Sequence, residues 1–414
     1  MKMDDLYWDE EEKKPLTFEE IKHLVEKFFK VTKAFIAPGT HIPTFSIQPL
    51  EMPDYDLKIS FNQLAQELDG YEQFPLLRKQ IGFPLLDEQK PLAGTNLKGP
   101  EELIMRIIPK KKEVKKSRVI NINALLLIIT IATVMGAAIY MLVSDLYVRF
   151  YNTSSSYYYI LMFGYTIAIL CIIGIHEMGH LVACRKHKIK SSLPYFIPFI
   201  PPLGTMGAII MQKSPPKNKD ELFDVGLAGP LFGFAVTLVV TLLGYGLTIV
   251  FNNQQIFGVT GATIEQLSSM QFPDPLLFKL LEQLMLNPLA YNVYITAPGG
   301  SLVYMLHVIA FAGWIGCFVT GLNLLPIGQL DGGHVARSIF GDKYYRYVSW
   351  VAFIALFFIN WLMAILVLVL SRFSFEHPGP LNDVSPLSPA RKIGSIVFFV
   401  VLLLTVPMGS FWFF

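Results

Sequence analysis

Six apolar segments, each about as long as a membrane is thick, dominate this chain and restrict what it can fold into. They cover roughly 121–143, 158–184, 225–251, 302–325, 346–370 and 393–412. A helix needs about 20 such residues to cross a bilayer. The composition agrees, because 53% of the 414 residues are hydrophobic and only 16% are charged, against about 25% in soluble domains. The sequence therefore predicts a polytopic α-helical membrane protein with about six transmembrane helices.

The first part of the chain, residues 1–118, is polar and contains no apolar segment of that length. Thr17 and Glu20 have the spacing of a capping box ahead of an amphipathic helix. Two strands and one short helix are also predicted, at Thr44–Leu50, Leu103–Ile108 and Phe61–Leu68 respectively. These features predict a small soluble α+β N-terminal domain over 1–118, followed by a membrane domain over 119–414.

Positive charge is distributed unevenly among the loops that connect the apolar segments. Six of the nine residues of 110–118 are Lys or Arg, and this basic juxtamembrane linker directly precedes the first apolar segment. The loop at 185–219 carries seven more, whereas the loop after the first segment carries only Arg149. Cytoplasmic loops are enriched in Lys and Arg, so both termini are predicted to be cytoplasmic. The loop with Arg372, Arg391 and Lys392 fits this alternation less well, which leaves the topology of the last two spans open.

The second apolar segment contains three ionisable residues within five positions, in His176-Glu177-Met178-Gly179-His180. Ionisable side chains at membrane depth are costly and are usually functional. On a helix the two histidines project from one face and can bind one metal ion. Glu177 lies beside them, where it can take a proton from a metal-bound water. The alternative is a chance motif, but an unpaired glutamate in a membrane has no water to solvate it.

A third protein ligand is expected, because catalytic zinc commonly has three and keeps its fourth position for water. The best candidate is Asp331, in the run 323–334 at the end of the fourth apolar segment. In the predicted topology the second and fourth segments run in the same direction, so both sites approach the cytoplasmic half of the membrane. Pro326 and Gly328 are expected to interrupt the helix before Asp331. The alternative is an aspartate that caps a short helix at 332–340.

Three motifs in this order resemble those of the site-2 protease family of intramembrane zinc metalloproteases. They are His-Glu-Met-Gly-His at 176–180, Gly-Leu-Ala-Gly-Pro-Leu-Phe-Gly at 226–233 and Asn-Leu-Leu-Pro-Ile-Gly-Gln-Leu-Asp-Gly-Gly at 323–333. The resemblance covers the core of the predicted membrane domain, about 158–341. The N-terminal domain and the run Asn-Asp-Val-Ser-Pro-Leu-Ser-Pro at 382–389 resemble the branch found in archaea and plant plastids.

The resemblance implies a function and a role for each matching residue. It implies a protease that hydrolyses peptide bonds in transmembrane segments of membrane-protein substrates. His176, His180 and Asp331 would hold Zn²⁺, and Glu177 would be the general base that later passes its proton to the leaving amine. Asn323 would help to bind substrate or polarise the scissile carbonyl, and an interhelical hydrogen bond is an equally open alternative. Iron or cobalt would also suit these ligands, but zinc is favoured because Glu177 fits hydrolysis.

Two further histidines receive no catalytic role. His334 follows Asp331 by three residues and can lie on the same helix face. It either supports the metal ligands from outside or lies at the membrane interface, and the interface is favoured. His377 is interpreted as an interfacial or loop residue.

The segment 192–212 is apolar but too short and too rich in proline to cross a membrane. It is predicted to be a re-entrant loop or hairpin in which 204–211 forms an edge strand. A strand edge exposes backbone donors and acceptors with which an unwound substrate can pair, and the resemblance also implies a substrate-presenting strand here. Gly207, Ala208 and Ile209 are therefore the candidate substrate-binding residues. A hairpin that only packs against its neighbours is the alternative.

Two other functions stay open on the sequence alone. A membrane zincin of another type would cut soluble peptides and use a glutamate on a later helix as third ligand, and none is evident there. A metal transporter would carry ionisable residues on several more spans. The predicted partners are membrane-protein substrates and the lipid bilayer, and the net charge of +2 gives no indication of nucleic acid. A prokaryotic cell membrane is favoured over an organelle membrane, and the oligomeric state stays unknown.

Overall fold

The structure is a computed structural model. It describes residues 16–53, 55–81, 101–110, 121–143, 155–201, 203–252, 273–286, 302–371 and 374–408. Within these residues the chain divides into two compact units. The first comprises the described part of 1–116 together with 216–219 and 380–386, and the second comprises the other described residues. Most of the basic linker, residues 111–118, lies outside the described residues. The domain limits at 1–118 and 119–414 stay a prediction.

The first unit is a four-stranded antiparallel sheet with two helices. Its elements are α1 (Phe18–Glu26), β1 (Lys30–Ile36), β2 (Pro43–Gln48), α2 (Leu57–Asp69), β3 (Gln73–Ile81) and β4 (Glu101–Pro109). The strand order is β1-β2-β4-β3. The predicted α+β character is confirmed, and β2, β4 and α2 correspond to the predicted segments. The strands β1 and β3 are additional.

Apolar side chains from both helices and from the sheet form the core of this unit. Ile21 of α1, Leu64 of α2 and Phe45 of β2 are all at most 2% exposed. The predicted capping box at the start of α1 is present, because the Glu20 N–H donates to Thr17 Oγ1 and the Thr17 N–H donates to the Glu20 carboxylate. These two bonds satisfy donors that a helix start leaves unpaired.

A short segment from much later in the sequence covers the β3 edge of this sheet. The Leu77 N–H donates to the Leu381 carbonyl at 2.9 Å. The Arg78 guanidinium donates to the carbonyls of Pro380 and Leu381, each at 2.9 Å. Asn382 forms a parallel bridge with Leu77. An open strand edge invites pairing with other chains, so this segment protects the edge.

The second unit is mainly helical. Its helices are α3 (Ile122–Leu142), α4 (Ser155–Lys186), α5 (Lys219–Gly246), α6 (Leu276–Leu281), α7 (Val308–Asn323), α8 (Asp331–Ile359), α9 (Trp361–Leu370) and α10 (Pro389–Thr405). Among the described residues, α3, α4 and α5 are long and apolar enough to cross a membrane. Fully buried side chains that include Ala137, Tyr165 and Ala312 join α3, α4 and α7 in one core. A mostly helical chain with a small sheet domain is confirmed, and the predicted count of six spans is not confirmed.

Two short strand pairs shorten the predicted spans at 302–325 and 393–412. The pairs are β7 (Ile249–Asn252) with β9 (Leu302–Met305), and β8 (Asp274–Pro275) with β10 (Pro407–Met408). Because β9 occupies the start of the fourth predicted span, α7 begins only at Val308. In the last predicted span, α10 ends at Thr405 and β10 follows it. Residues 409–412 lie outside the described residues.

The predicted span at 346–370 is not one helix. Asn360 has extended backbone angles, and its side chain accepts the Met363 N–H at 3.0 Å, so it ends α8 and caps α9. Within α8, Gly341 has a φ of 70°, which places a kink between Asp331 and the apolar second half of the helix. A side-chain cap and a left-handed glycine therefore interrupt a segment whose apolar composition predicts continuity.

The predicted hairpin in 192–212 is present, as β5 (Tyr195–Pro198) paired antiparallel with β6 (Thr205–Ile209). It packs against α3. The Asn123 side chain of α3 donates to the Pro194 carbonyl at 2.8 Å, and the Thr133 hydroxyl donates to the Gly204 carbonyl at 2.7 Å. These side-chain bonds tie the hairpin to α3, and the Gly204 carbonyl also accepts the Phe199 N–H at 3.0 Å.

We expect Leu64→Ala to lower the free energy of unfolding of the first unit by about 2–5 kcal/mol, because it leaves a cavity in the core. The matched change Ile59→Ala, at a side chain of α2 that is 57% exposed, should alter it by less than about 0.5 kcal/mol. Limited proteolysis of the full chain at increasing urea, followed at cleavage sites within 16–110, measures both. Equal losses would contradict this core.

Candidate metal centre

The two histidines of the second apolar segment lie one turn apart on α4. The side chains of His176 and His180 are only 5% and 12% exposed. Their Nε2 atoms are 3.2 Å apart. A four-residue spacing on a helix places both rings on one face, so the predicted pair is formed by the local backbone.

Asp331, the first residue of α8, brings its carboxylate to this pair. Its Oδ2 lies 3.3 Å from His176 Nε2 and 3.2 Å from His180 Nε2. Tetrahedral zinc holds nitrogen and oxygen ligands at about 2.0–2.1 Å, which separates ligand atoms by about 3.3 Å. The three observed separations match that value. Among the described residues this is the one group of three such side chains that could hold a metal ion.

The loop between α7 and α8 determines where Asp331 lies. As predicted, Pro326 and Gly328 fall in a break between the two helices. The Tyr345 hydroxyl donates to the Gly328 carbonyl at 2.6 Å, and the Ser349 hydroxyl donates to the Pro326 carbonyl at 2.8 Å. Both hydroxyls come from the second half of α8, beyond its kink. The loop is therefore held by the helix that it precedes.

The surroundings of the ligands favour metal binding. His180 Nδ1 lies 2.8 Å from the Val225 carbonyl, which can only accept. Nδ1 therefore carries the proton, and Nε2 presents its lone pair to the other two ligand atoms. Asp331 lies in the first turn of α8, where the helix dipole stabilises a negative charge. The donor set of two imidazoles and a carboxylate is one that catalytic zinc uses.

The three ligand side chains lie in a part of the chain that matches a known peptidase family. The profile of peptidase family M50 matches residues 164–368, a range that contains all three ligand side chains. These residues form a peptidase family M50 domain. The predicted resemblance to the site-2 protease family is thereby confirmed.

Relatives of the M50 domain are plant proteins. "Probable zinc metalloprotease EGY1, chloroplastic" of Oryza sativa subsp. japonica is 31% identical over 247 residues, which are 58% of this chain and 40% of that protein. Its namesake of Arabidopsis thaliana is 33% identical over 175 residues, 42% of this chain and 29% of that protein. "Probable zinc metalloprotease EGY2, chloroplastic" of Arabidopsis thaliana is 30% identical over 172 residues, 42% of this chain and 28% of that protein. The chain is a homologue of zinc metalloproteases and matches at most 40% of the length of these relatives. No solved structure matches it.

Two glycines in the second motif of the M50 domain allow α5 to approach the ligands closely. A Cβ atom added at Gly229 would overlap the imidazole of His180. A Cβ atom added at Gly233 would lie 3.0 Å from His176 Nδ1. Any larger residue at Gly229 would have to displace a ligand or separate the helices. The glycine motif therefore leaves the space that the imidazoles of the two ligand histidines occupy.

Two other predicted residues lie at the same place. Glu177 is 5% exposed and within electrostatic range of His180 and Asp331. Asn323, the last residue of α7, has its Nδ2 3.4 Å from His176 Nε2. The structure thus brings the predicted base and the predicted substrate-binding amide to the three ligands. It does so from three separate helices.

The predicted hairpin residues have a less direct relation to the site. Gly207, Ala208 and Ile209 belong to β6, which packs against α4. Ala208 joins the apolar core that includes α4, and Ile209 is 54% exposed. None of the hydrogen bonds among the described residues joins these three to the metal-binding side chains. Their role in substrate binding stays a prediction.

Two histidines of the second unit that are distant in the sequence contact each other. His377 Nε2 lies 2.6 Å from His334 Nδ1, and His377 is only 8% exposed. His377 lies in a loop, as one of its two interpretations has it, but that interpretation does not include the contact with His334. Both alternatives for His334 stay open. The spacing of His334 from Asp331 was the available signal. Nothing in the sequence connects His377 with His334.

We expect Gly229→Ala to abolish stoichiometric metal binding, because the added methyl group would occupy the space of the His180 imidazole. Gly246→Ala is the matched control on α5, since an added Cβ there meets nothing within 4 Å. The metal content of both purified proteins, measured after dialysis against limiting zinc, tests this. Equal zinc in the two variants would contradict the close packing.

Proposed function

We propose that this chain is an intramembrane zinc metalloprotease that hydrolyses peptide bonds in transmembrane segments of substrate proteins. One observation carries the proposal. His176, His180 and Asp331 bring their ligand atoms to within 3.2–3.3 Å of one another, and the histidines lie on an apolar helix long enough to cross a membrane. The M50 domain and the names of its relatives agree with this function.

The chain's own residues supply the proton transfers. His176, His180 and Asp331 would hold zinc, which when bound polarises a peptide carbonyl and lowers the pKa of a coordinated water to about 7. Glu177 accepts a proton from the attacking water and delivers it to the departing amine nitrogen. Because Glu177 is buried next to the ligands, it exchanges protons with the reacting groups rather than with bulk solvent.

The substrate binds as an extended strand beside β6. A helical segment hides its carbonyls in its own hydrogen bonds, so it must unwind before it can be cut. Within the described residues β6 pairs only with β5, which leaves its other edge open to an added strand. Gly207, Ala208 and Ile209 are the β6 residues beside which the substrate lies. The Asn323 amide donates a hydrogen bond to a substrate carbonyl near His176.

We propose a multi-pass membrane location, with both termini on the side of the basic loops. The prediction of a prokaryotic cell membrane finds no support, because the matched relatives are named chloroplastic. A plastid membrane is the location that those names favour. The proposed partners are membrane-protein substrates and the lipid bilayer, without nucleic acid.

We expect zinc at about one ion per chain in the wild type, and its loss in His176→Ala and in Asp331→Ala. Glu177→Gln should keep the zinc but lose about 10²–10⁴-fold in the rate of peptide hydrolysis, the contribution of a positioned general base. Metal analysis of the detergent-purified proteins and a cleavage assay on a reconstituted transmembrane substrate measure these effects. Undiminished hydrolysis by Glu177→Gln, or full zinc in Asp331→Ala, would contradict the proposed mechanism.

We expect Gly207→Ala to lower kcat/KM several-fold without loss of zinc, because its φ of 99° strains any residue with a Cβ by about 1–2 kcal/mol, and relief of that strain would displace the strand edge that the substrate pairs with. Open space surrounds this position, so steric overlap contributes nothing. Gly136→Ala is the control, a helical glycine of α3 with equally open surroundings. Unchanged kcat/KM in Gly207→Ala would argue against substrate binding along β6.

A further inference from the structure

Three imidazoles, not two, lie along the glycine face of α5. The glycines are Gly226, Gly229 and Gly233, spaced by three and four residues so that they share one helix face. A Cβ atom added at Gly226 would lie 2.7 Å from the Cβ of His334. The next two glycines make the corresponding close approaches to His180 and to His176. His334 therefore lies in one row with the two ligand histidines.

Hydrogen bonds fix the tautomer of His334. The Gly379 N–H donates to His377 Nδ1 at 2.9 Å, so that nitrogen carries no proton. The other ring nitrogen of His377, Nε2, must then be the donor in its 2.6 Å contact with His334 Nδ1. His334 Nδ1 accepts this bond, which leaves the His334 proton on Nε2. A backbone amide thus sets the proton positions of both rings.

The local environment keeps the His377 ring neutral and in one orientation. Burial, together with His334 and Arg337 nearby, lowers the pKa of His377 to about 2. The ring of Tyr345 packs edge-on against His377, with centroids 5.7 Å apart. His377 therefore donates from one orientation throughout the physiological pH range.

The Nε2–H of His334 makes no hydrogen bond to any residue within the described ranges. His334 is itself partly exposed, unlike His377. His334 is within electrostatic range of Asp331 and His180. A donor of fixed orientation on a partly exposed residue, one turn from a metal ligand, is available to a substrate.

We propose that His334 donates a hydrogen bond from Nε2 to the carbonyl oxygen of the scissile peptide, and that His377 is the positioning residue that holds it ready. The proposal rests on the protease function proposed above. As water adds to the carbonyl carbon, the carbonyl electron pair moves to the oxygen, which becomes negatively charged. A neutral donor already in place stabilises that charge without reorganising, and loss of one such donor typically costs about 10²–10³-fold in kcat.

Matched substitutions separate the donor from the volume of the side chain. Gln and Met have similar shapes, but only Gln has an N–H group near the position of the histidine Nε2. We expect His334→Met to lose about 10²–10³-fold in kcat with little change in KM, and His334→Gln to recover much of that loss. His377→Met should lower kcat less, and His377→Gln should restore it. His23→Met, at an exposed position in the first unit, is the control for the substitution itself.

Two readouts do not depend on activity. Zinc content and zinc retention against a chelator should be unchanged in all four variants of His334 and His377, because neither residue is a ligand. In the metal-free wild type labelled with ¹⁵N-histidine, NMR should show His334 protonated at Nε2 and His377 also protonated at Nε2. In His377→Met the His334 signals should become those of a mixture of tautomers.

The contrary outcomes distinguish failure of the proposed His334 donor from failure of the proposed protease function. Wild-type kcat in His334→Met overturns the proposed donor, and equal losses in His334→Met and His334→Gln show that shape matters rather than the N–H group. Loss of zinc in His334→Met would make His334 a support of the metal site and overturn its role toward substrate. Absence of cleavage by the zinc-loaded wild type would instead refute the proposed protease function, and with it this inference.

Discussion

The absence of side chains on one face of α5 is the feature on which the site depends. At Gly229 the backbone of α5 lies so close to α4 that the His180 imidazole occupies the space of a Cβ. This approach places the Val225 carbonyl 2.8 Å from His180 Nδ1, which orients the ring. The close packing of α5 against α4 therefore also orients the His180 ring for metal binding. A membrane interior offers little hydrophobic drive for helix association, so such close backbone contact is what holds the helices.

The parts of the site that the sequence predicted are those set by local geometry. His176 and His180 are one turn apart, so their shared face follows from the helix repeat alone. Asp331 was predicted through topology, because the positive charges of the loops predict that the ends of two distant segments lie in the same half of the membrane. Pro326 and Gly328 marked the helix break, although they could not show where the following helix would direct its first carboxylate.

The features that were not predicted from the sequence depend on contacts between residues that are distant along the chain. The strand β1 is largely exposed and β3 contains Pro75, so neither has the alternation of a half-buried strand. The pairing of β7 with β9 places the first apolar residues of the predicted span 302–325 in a strand, and their composition does not distinguish this strand from the helix that follows. The bond between His334 and His377 joins two parts of the chain whose approach only the folded backbone defines. Hydropathy records apolar length, and it does not record where a side-chain cap such as Asn360 ends a helix.

The kink in α8 explains how Asp331 is held in place. In a straight helix Ser349 would lie about 27 Å along the axis from Asp331. Pro326 precedes Asp331 by five residues, which reach at most about 17 Å even when extended. Yet the Ser349 hydroxyl donates to the Pro326 carbonyl at 2.8 Å. The second half of α8 must therefore turn back toward the loop, and the left-handed φ of Gly341 makes that turn possible. The metal-binding carboxylate is thus positioned by the distal part of its own helix.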